Sequence, residues 1–161
     1  ALHHNRPDLT LFQTEQECGD GKNSWRFARH TWNLMRHFIG NGAQAYTYWN
    51  LALTEGGRSR WGWEQNSLVV VDPQTRTARY THDYSVLKHL THHLQPGARV
   101  LEWFSISGFD SQLAFLNPDG SVVVVIQNDL SQDQEVTLVI GEHVVTPTLP
   151  ADSFATLVLR H

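Results

Sequence analysis

Cysteine is scarce in this sequence, charge of the two signs is nearly balanced, and long hydrophobic runs are absent. The single cysteine, Cys18, excludes an internal disulfide and a cysteine-rich metal site. The 12 basic and 16 acidic residues are interspersed and give a net charge of −4, so no basic patch for nucleic acid or an anionic membrane surface is present. No apolar stretch approaches the roughly 18 to 20 residues of a transmembrane helix, and the N-terminus lacks a signal-peptide pattern. We therefore expect no nucleic-acid partner and no membrane span.

What the sequence does contain is typical of a globular protein. Hydrophobic residues make up 40% of the chain and charged residues 17%, a composition that favours folding over disorder. A length of 161 residues suits one domain or the end of a larger protein. Because the chain starts at Ala1 and no helix or strand signal precedes Leu9, we expect it to begin inside a longer protein.

The first half of the chain alternates strand and helix patterns. The run "LTLFQT", Leu9 to Thr14, is β-prone and ends in an acidic loop with two glycines. A cap at Asn23 or Ser24 begins a helix of about four turns. Its apolar face consists of Trp25, Ala28, Trp32, Met35 and Ile39. The run "AQAYTYWNLAL", Ala43 to Leu53, predicts a second strand, and strand, helix and strand in this order indicate a parallel βαβ unit.

A polar and aromatic loop, "TEGGRSRWGWEQNS", leaves the C-terminal end of this second strand, the end at which α/β barrels place their chemistry. The next segment, "LVVVDPQTRTARY", predicts extended chain with a turn at Asp72-Pro73. A helix is then predicted over residues 81–94. Its apolar stripe consists of Tyr84, Leu87, Leu90 and Leu94.

The pattern changes to short β-rich runs after Gln95. Six runs alternate with turn signals: "RVLEWFSI", "SQLAFLN", "SVVVVIQN", "QEVTLVI", "HVVTPTL" and "SFATLVL". The segment Asn117 to Gly120 is a strong hairpin signal, and Gly141-Glu142 suits a two-residue turn. Six strands at this spacing predict an antiparallel sandwich or barrel. We therefore expect two parts, an α/β segment over residues 1–95 and an all-β segment over residues 96–161.

Two carboxylates, Glu15 and Glu17, follow the first predicted strand. A carboxylate at the end of a barrel strand suits glycoside hydrolysis, which requires one carboxyl group to attack or to activate water and a second to protonate the leaving oxygen. Loop acids are, however, usually solvated surface groups. Strand alternation does not choose between the two acids, because they have the same parity. Glu15 directly follows the β-prone run, which favours it over Glu17.

Aromatic and amide side chains accompany the acids. Trp49, Trp61 and Trp63 can stack on the apolar faces of sugar rings, and the amides of Asn50 and Asn66 can bond to hydroxyl groups. The competing interpretation is that tryptophan belongs to the core, and it is favoured for the two tryptophans at helical spacing in the first helix.

Four segments resemble, in order and spacing, the C-terminal part of glycoside hydrolase family 30, whose best-known members are glucosylceramidases. They are "QTEQECGDGKNSW", "GAQAYTYWNLAL", "GGRSRWGWEQNSLVVVD" and "KHLTHHLQPGARVL". The resemblance implies an (α/β)8 TIM barrel followed by an antiparallel β-sandwich, and hydrolysis with retention through a covalent intermediate. Residues 1–95 would be barrel strands 7 and 8 with their helices, and residues 96–161 the β-sandwich domain.

The resemblance also implies roles for particular residues. Glu15, in the pair Thr14-Glu15, matches the nucleophile at the end of the seventh barrel strand. Trp49 and Asn50 match a substrate-binding pair after the eighth strand, and Trp61 matches an aromatic residue of the following loop. The expected substrate is a β-glucoside or β-glucan-type carbohydrate. No metal or organic cofactor is implied, and the sequence leaves localisation open, with a secreted or periplasmic parent protein fitting the family.

The acid/base of the family is a glutamate that follows an asparagine on the fourth strand, and no Asn-Glu dipeptide occurs in this sequence. We therefore expect the nucleophile to be present and its partner to lie in a missing N-terminal barrel portion. Two alternatives remain open: a non-catalytic sugar-binding or structural module, and a half-barrel that a separate chain completes.

Other chemistry finds weaker support in the sequence. His3-His4 and the group His89, His92 and His93 have spacings that a helix can bring together, but no His-Glu-x-x-His pattern accompanies them. We expect solvated or capping histidines. Cys18 has no identified histidine partner, which argues against a nucleophilic thiol.

Overall fold

The computed structural model describes residues 2–16 and 19–160. Two candidate residues, the carboxylic acid Glu17 and the thiol Cys18, lie outside the described residues. The chain divides into two compact units, Ala1–Lys88 and His89–His161.

The first unit contains short strands in two sheets together with helices. The elements in chain order are α1 (Leu2–Asn5), β1 (Leu11–Gln13), α2 (Trp25–Gly40), β2 (Ala43–Tyr46), β3 (Ala52–Thr54), β4 (Val69–Asp72), β5 (Thr77–Tyr80) and α3 (His82–Thr91), whose last turn crosses into the second unit. Strands β1 and β2 pair in parallel, and α2 lies between them in the sequence. This arrangement confirms the predicted parallel βαβ unit. Strands β3 and β4 are parallel, and β4 and β5 form an antiparallel hairpin around the turn predicted at Asp72-Pro73.

Helix α2 begins and ends close to the predicted residues. Ser24 is the N-cap, and its hydroxyl accepts a hydrogen bond from the backbone N–H of Phe27 at 3.3 Å, which satisfies one of the free amide groups of the first turn. The buried residues are Ala28, Thr31, Trp32 and Met35. Trp32 is fully buried, so the core interpretation of this helical tryptophan is confirmed.

The predicted second strand, Ala43 to Leu53, is wrong as a single element. It divides into β2 and β3, which belong to different sheets, with residues 47–51 between them. The division has a tertiary cause, because the Asn50 side chain donates to the Asn66 carbonyl at 3.2 Å and the Leu68 N–H donates to the Asn50 carbonyl at 3.1 Å. These bonds turn the chain away from β1 and toward β4.

Two further expectations for the first unit need correction. The residues before Leu9 include the short helix α1, which no sequence signal indicated. The buried face of α3 consists of Asp83, Val86 and Leu90 rather than the predicted stripe of Tyr84, Leu87, Leu90 and Leu94. The predicted stripe consists of apolar residues only, and a buried polar residue such as Asp83 gives no signal in that pattern.

The second unit is built of antiparallel strands. They are β6 (Arg99–Val100), β7 (Gln112–Leu116), β8 (Val122–Asn128), β9 (Gln134–Glu135), β10 (Leu138–Ile140), β11 (His143–Val145), β12 (Thr148–Leu149) and β13 (Ser153–Leu159). The main sheet has the order β13-β8-β7-β6, and β10-β11 and β9-β12 form two-stranded ribbons. Every residue of β8 is buried, so this strand is the centre of the unit. The Asn128 side chain donates to the Leu149 carbonyl at 3.1 Å and thereby joins β8 to the segment of β12.

The two predicted turns of this unit are confirmed. Residues Asn117 to Gly120 connect β7 to β8, with hydrogen bonds from the Asn117 N–H to the Ser121 carbonyl and from the Gly120 N–H to the Asn117 carbonyl. Gly141 and Glu142 connect β10 to β11. Three predicted runs differ from the structure: "QEVTLVI" and "HVVTPTL" each divide into two strands, and "RVLEWFSI" pairs only at Arg99–Val100.

Candidate active site

The parallel pairing of β1 and β2 brings the chain segments that follow them to the same sheet edge. The register aligns Gln13 with Tyr46, the last residues of the two strands. Thr14 and Glu15 follow directly after β1, and Trp49 and Asn50 follow β2 by three and four residues. The predicted nucleophile and the predicted substrate-binding pair therefore lie at the carboxyl ends of neighbouring parallel strands.

The Gln13 side chain joins these two segments. It is 8% exposed, its amide nitrogen donates to the carbonyl oxygen of Glu15, and its amide oxygen accepts from the N–H of Thr47 at 3.2 Å. The same Thr47 N–H also donates to the Gln13 backbone carbonyl at 3.0 Å. Sequence analysis missed this residue, because a glutamine in a β-prone run carries no signal of its own.

The predicted site residues differ in their exposure. The Glu15 side chain is exposed, and the Trp49 side chain is 42% exposed. Asn50 is partly buried, and its amide nitrogen donates to the Asn66 carbonyl. Asn66 itself is fully buried, so the expectation that its amide binds a sugar hydroxyl is wrong. It stabilises the loops instead.

The loop between β3 and β4 presents two tryptophans side by side. Trp61 and Trp63 are 65% and 64% exposed, and their ring centroids lie 5.8 Å apart at an interplanar angle of 33°. The hydroxyl of Ser59 accepts hydrogen bonds from the backbone N–H groups of Trp61 and Trp63, each at 3.2 Å. A salt bridge of 2.9 Å between Arg58 and Glu64 closes the loop. We call residues 58–64 the tryptophan loop.

The base of the tryptophan loop is bonded to the glycine-containing loop after β1. The Asn23 N–H donates to the Asn66 side-chain oxygen at 3.1 Å, and the Ser67 N–H donates to the Asn23 side-chain oxygen at 2.9 Å. Gly19 packs so closely on Asn66 that an added Cβ would lie 2.5 Å from its side chain, and the φ of Gly19 is +78°. Gly21 meets Glu64 in the same way. These glycines therefore serve close packing between two loops.

A buried polar network lies behind the sheet edge. The Gln16 amide nitrogen donates to the Thr31 hydroxyl at 3.2 Å, and the Thr31 hydroxyl donates to a carboxyl oxygen of Asp83 at 2.6 Å. The Gln16 amide oxygen accepts from the Tyr46 hydroxyl. This network connects the residue after Glu15, the middle of α2, the end of β2 and the first turn of α3.

Burial sets the electrostatics of this network. It raises the pKa of Asp83, and hydrogen bonds from Thr31 and then from Tyr48 oppose the rise. Burial also raises the pKa of the Tyr46 hydroxyl, and the charge of Asp83 adds to that effect. The Asp83 carboxyl group and the Tyr46 hydroxyl therefore keep their protons to higher pH than the same groups do in water.

Two of the histidines considered as metal ligands contact other parts of the chain. His89 Nδ1 lies 2.8 Å from the Thr156 hydroxyl, and the ring of His3 packs against Gly42. Within residues 2–16 and 19–160, no three His, Cys, Asp or Glu side chains are arranged to hold a metal ion. In the same described part of the chain, no helix has the length and apolar character needed to cross a membrane.

Comparison with protein families gives a match in the second unit. Residues 107–157, which include β7 to β12 and most of β13, match the glycosyl hydrolase family 30 beta sandwich domain. These residues therefore resemble a family 30 β-sandwich. The fold prediction is thereby confirmed for the second unit, while the barrel portion remains a prediction.

Solved structures resemble this chain over nearly its whole length. SrfJ from Salmonella typhimurium is 27% identical with a TM-score of 0.88, and the match covers 99% of this chain and 37% of SrfJ. The endo-beta1,6-glucanase BT3312 is 21% identical with a TM-score of 0.81, covering 96% of this chain and 36% of the glucanase. The catalytic domain of the family 30 xylanase C from Talaromyces cellulolyticus is 19% identical with a TM-score of 0.68, covering 95% and 39%. The two matches below 25% identity support the fold alone.

The chain thus spans well under half of the solved proteins that it matches. No curated protein matches it. The predicted resemblance to the C-terminal part of family 30 is confirmed. The glucosylceramidase-like subtype and the roles of Glu15, Trp49, Asn50 and Trp61 stay predictions.

Proposed function

We propose that this chain is the C-terminal portion of a retaining β-glycosidase of family 30 and supplies its nucleophile, Glu15. In this proposal, residues 1–95 are the last two βα units of a TIM barrel, with β1 and β2 as strands 7 and 8. The supporting observation is the parallel pairing of β1 and β2, after which Glu15 and Trp49-Asn50 follow at one edge. Catalytic groups of TIM barrels lie at this end of the strands.

The exposed Glu15 carboxylate has the chemistry that the first step requires. It attacks the anomeric carbon and forms a glycosyl-enzyme ester while a second carboxylic acid protonates the departing oxygen. The second group, now a carboxylate, then removes a proton from water, which attacks the anomeric carbon and releases Glu15. The two carboxyl groups of a retaining pair are about 5 to 5.5 Å apart.

The acid/base is proposed to come from outside this chain. Glu55 and Glu64 are engaged elsewhere, by Arg79 at 2.6 Å and by Arg58 at 2.9 Å. Neither glutamate matches the family's Asn-Glu pair. A missing N-terminal barrel portion is therefore the proposed partner, joined to this chain or supplied as a separate one.

The proposed substrate is a β-glucoside or β-glucan-type carbohydrate. Trp49 and Trp61 present exposed indole surface suited to the apolar face of a sugar ring, and Asn50 is held beside Trp49 by its bond to Asn66. Structural neighbours below 25% identity are named a β1,6-glucanase and xylanases, so they do not choose between glucose and xylose.

Trapping of the covalent intermediate tests this proposal. The complete enzyme, with the N-terminal portion present, is incubated with a 2-fluoroglucoside, and the labelled peptide is mapped by mass spectrometry. We expect the label on Glu15. A label on Glu17 refutes the assignment of the nucleophile, and turnover by the isolated 161-residue chain refutes the need for a second portion. A 2-fluoroxyloside run in parallel distinguishes the two sugars.

The exposed pair Trp61 and Trp63 favours one alternative, a module that binds sugar without turnover. Its tryptophans stand on a loop closed by hydrogen bonds and a salt bridge. Such a module would bind oligosaccharide as the isolated chain and leave Glu15 replaceable. Binding of a β-glucan oligosaccharide with the same affinity by the chain and its Glu15→Gln variant, together with no covalent label in the complete protein, would favour this alternative.

A further inference from the structure

Asp83 is a fully buried carboxylic acid that the proposed reaction does not use. It lies in the first turn of α3, the second residue of that helix. Burial of a carboxyl group is unfavourable unless hydrogen bonds compensate, and an apolar residue would fill the same volume without that cost. The hydrogen-bonding partners of Asp83 therefore indicate what the group does.

One set of contacts leads from Asp83 to the segment of Glu15. The Thr31 hydroxyl donates to Asp83 at 2.6 Å and accepts from the Gln16 amide at 3.2 Å. Thr31 is fully buried and Gln16 nearly so, so water does not compete for these bonds. Because the hydroxyl proton points at Asp83, the oxygen lone pairs of Thr31 remain available to the Gln16 N–H. Gln16 is the residue directly after Glu15.

A hydrogen bond from Tyr46 extends these contacts toward the segment of Trp49. The buried Tyr48 hydroxyl also opposes the rise in the pKa of Asp83. Tyr48 directly precedes Trp49 in the chain. The Tyr46 hydroxyl donates to Gln16 and so connects the end of β2 to the first set of contacts.

From these contacts we infer that Asp83 is a positioning residue, which holds the segments of Glu15 and Trp49 in fixed relation through Thr31, Gln16 and Tyr46. This inference rests on the proposed function, in which Glu15 attacks a sugar bound beside Trp49. The residue acts at a distance from the reacting atoms. Its effect is on the geometry of attack, to which rates are sensitive, since a misplacement of about 1 Å can cost about 100-fold.

Kinetics of the complete enzyme provide the first test. Thr31→Val keeps the shape of the side chain and removes the hydroxyl, Thr31→Ser keeps the hydroxyl, and Asp83→Asn removes the carboxylate. We expect Thr31→Val and Asp83→Asn to lower kcat about tenfold with KM within about twofold, and Thr31→Ser to recover most of the loss. Val86→Ala, which opens space on the same buried face of α3, should lower the thermal midpoint and leave kcat near that of the unsubstituted enzyme.

Hydrogen exchange of the 161-residue chain provides a second test that needs no activity. Peptides covering residues 11–16 and 44–50 contain the two segments. In Thr31→Val and Asp83→Asn, the amide hydrogens of both peptides should exchange about tenfold faster than in the unsubstituted chain. In Val86→Ala, the exchange rates of these two peptides relative to the rest of the chain should be unchanged.

The outcomes separate this inference from the proposed function. Faster exchange in neither peptide, or in one alone, overturns the inference whether or not the enzyme is active. Unchanged kcat in Thr31→Val and Asp83→Asn with an active unsubstituted enzyme also overturns it. Coupled exchange of both peptides in a complete protein that hydrolyses no β-glycoside supports the positioning of the segments and refutes the proposed reaction.

Discussion

The side-chain oxygen of Gln13 accepts a hydrogen bond from the N–H of Thr47 at 3.2 Å, across the ends of two parallel strands. The amide nitrogen of the same side chain donates to the Glu15 carbonyl. One buried amide thus ties together the two segments that carry the proposed nucleophile and the proposed sugar-binding pair. The sheet register alone aligns the strands, but it does not fix the chain beyond their last residues.

Gln13→Leu should lower both stability and activity. The substitution leaves the Glu15 carbonyl without this donor, and we expect the free energy of unfolding to fall by about 1 to 3 kcal/mol, measured by urea denaturation. Gln13→Glu is the matched variant, because it keeps the acceptor for Thr47 and loses the donor to Glu15. If kcat is unchanged in both variants of the complete enzyme, Gln13 does not contribute to the geometry of the site.

Glu15→Gln should abolish hydrolysis by the complete enzyme and leave folding nearly unchanged. The side chain is exposed, so the amide replaces the carboxylate without a change in buried contacts. We expect kcat to fall at least about 1,000-fold, while the thermal midpoint stays within about 2 °C. Addition of azide, a small external nucleophile, should restore part of the rate with an activated aryl glucoside in Glu15→Ala. Retained activity in Glu15→Gln contradicts the proposed nucleophile.

Trp61→Ala and Trp63→Ala should each weaken binding of oligosaccharide substrates. Both indoles are exposed, so their removal costs little stability and takes away stacking surface. We expect KM to rise about tenfold for each, which corresponds to about 1.4 kcal/mol of lost binding. Phe104→Ala is the control, because Phe104 is 84% exposed and lies in the second unit. An equal effect of the control would show that loss of an exposed aromatic ring, rather than this loop, is responsible.

Gly19→Ala should destabilise the protein more than Gly62→Ala. Both glycines have positive φ, +78° and +83°, so alanine is strained at either position. An alanine Cβ at Gly19 would also meet the Asn66 side chain, whereas Gly62 has no heavy atom within 4 Å of that position. We expect a loss of about 1 kcal/mol for Gly62→Ala and about 1 to 3 kcal/mol more for Gly19→Ala, by urea denaturation. Equal losses would mean that the two loops separate without cost.

The raised pKa of Asp83 predicts how stability depends on pH. Its pKa is near 3.8 in the unfolded chain and higher in the folded one, so the folded state binds more protons between the two values. Stability attributable to Asp83 is therefore fully present below the unfolded value and is lost as pH rises through the folded one. We expect the unsubstituted chain to lose stability relative to Asp83→Asn as pH rises from about 4 through the raised pKa, measured by urea unfolding.

Carboxyl groups remote from Asp83 do not disturb this comparison. The interaction with His82, which lowers the pKa of Asp83, is lost in Asp83→Asn and is therefore part of the measured difference. Hydrogen bonds lower the pKa values of Asp72 and Asp119, so their contributions fall as pH decreases. These contributions cancel in the difference between the two chains. A difference that grows in the opposite direction would contradict the raised pKa of Asp83.

Sequence signals predict the elements that are held by contacts between residues close together in the chain. Ser24 caps α2 by a bond to a residue three positions later, and the Asn117 to Gly120 turn closes within five residues. Such contacts follow from the identity of neighbouring residues. The strand-helix-strand order also predicts a parallel pair of strands, whose carboxyl ends lie at the same sheet edge. Glu15 and Trp49-Asn50 follow the two strands at that edge.

The parts that sequence analysis missed depend on contacts between distant residues. Asn23 and Asn66 are 43 positions apart, and Thr31 and Asp83 are 52 apart. Nothing near Thr47 indicates that the chain leaves β2 there, because the bond that turns it comes from Asn50 to Asn66. A polar residue gives no periodic signal of burial, so Asp83 and Gln13 were recognised only once their partners were known.

The bonds between Asn23, Asn66 and Ser67 matter for engineering of specificity. Surface loops beside a binding site are natural units to exchange between related enzymes, and the tryptophan loop between β3 and β4 is one candidate. Its base, however, is held by the loop that begins next to Glu15. A graft that transfers residues 58–67 without Asn23 and Gly19 would carry the two exposed tryptophans but lose the hydrogen bonds and close packing that hold the loop in place. The two loops therefore have to be exchanged as a pair.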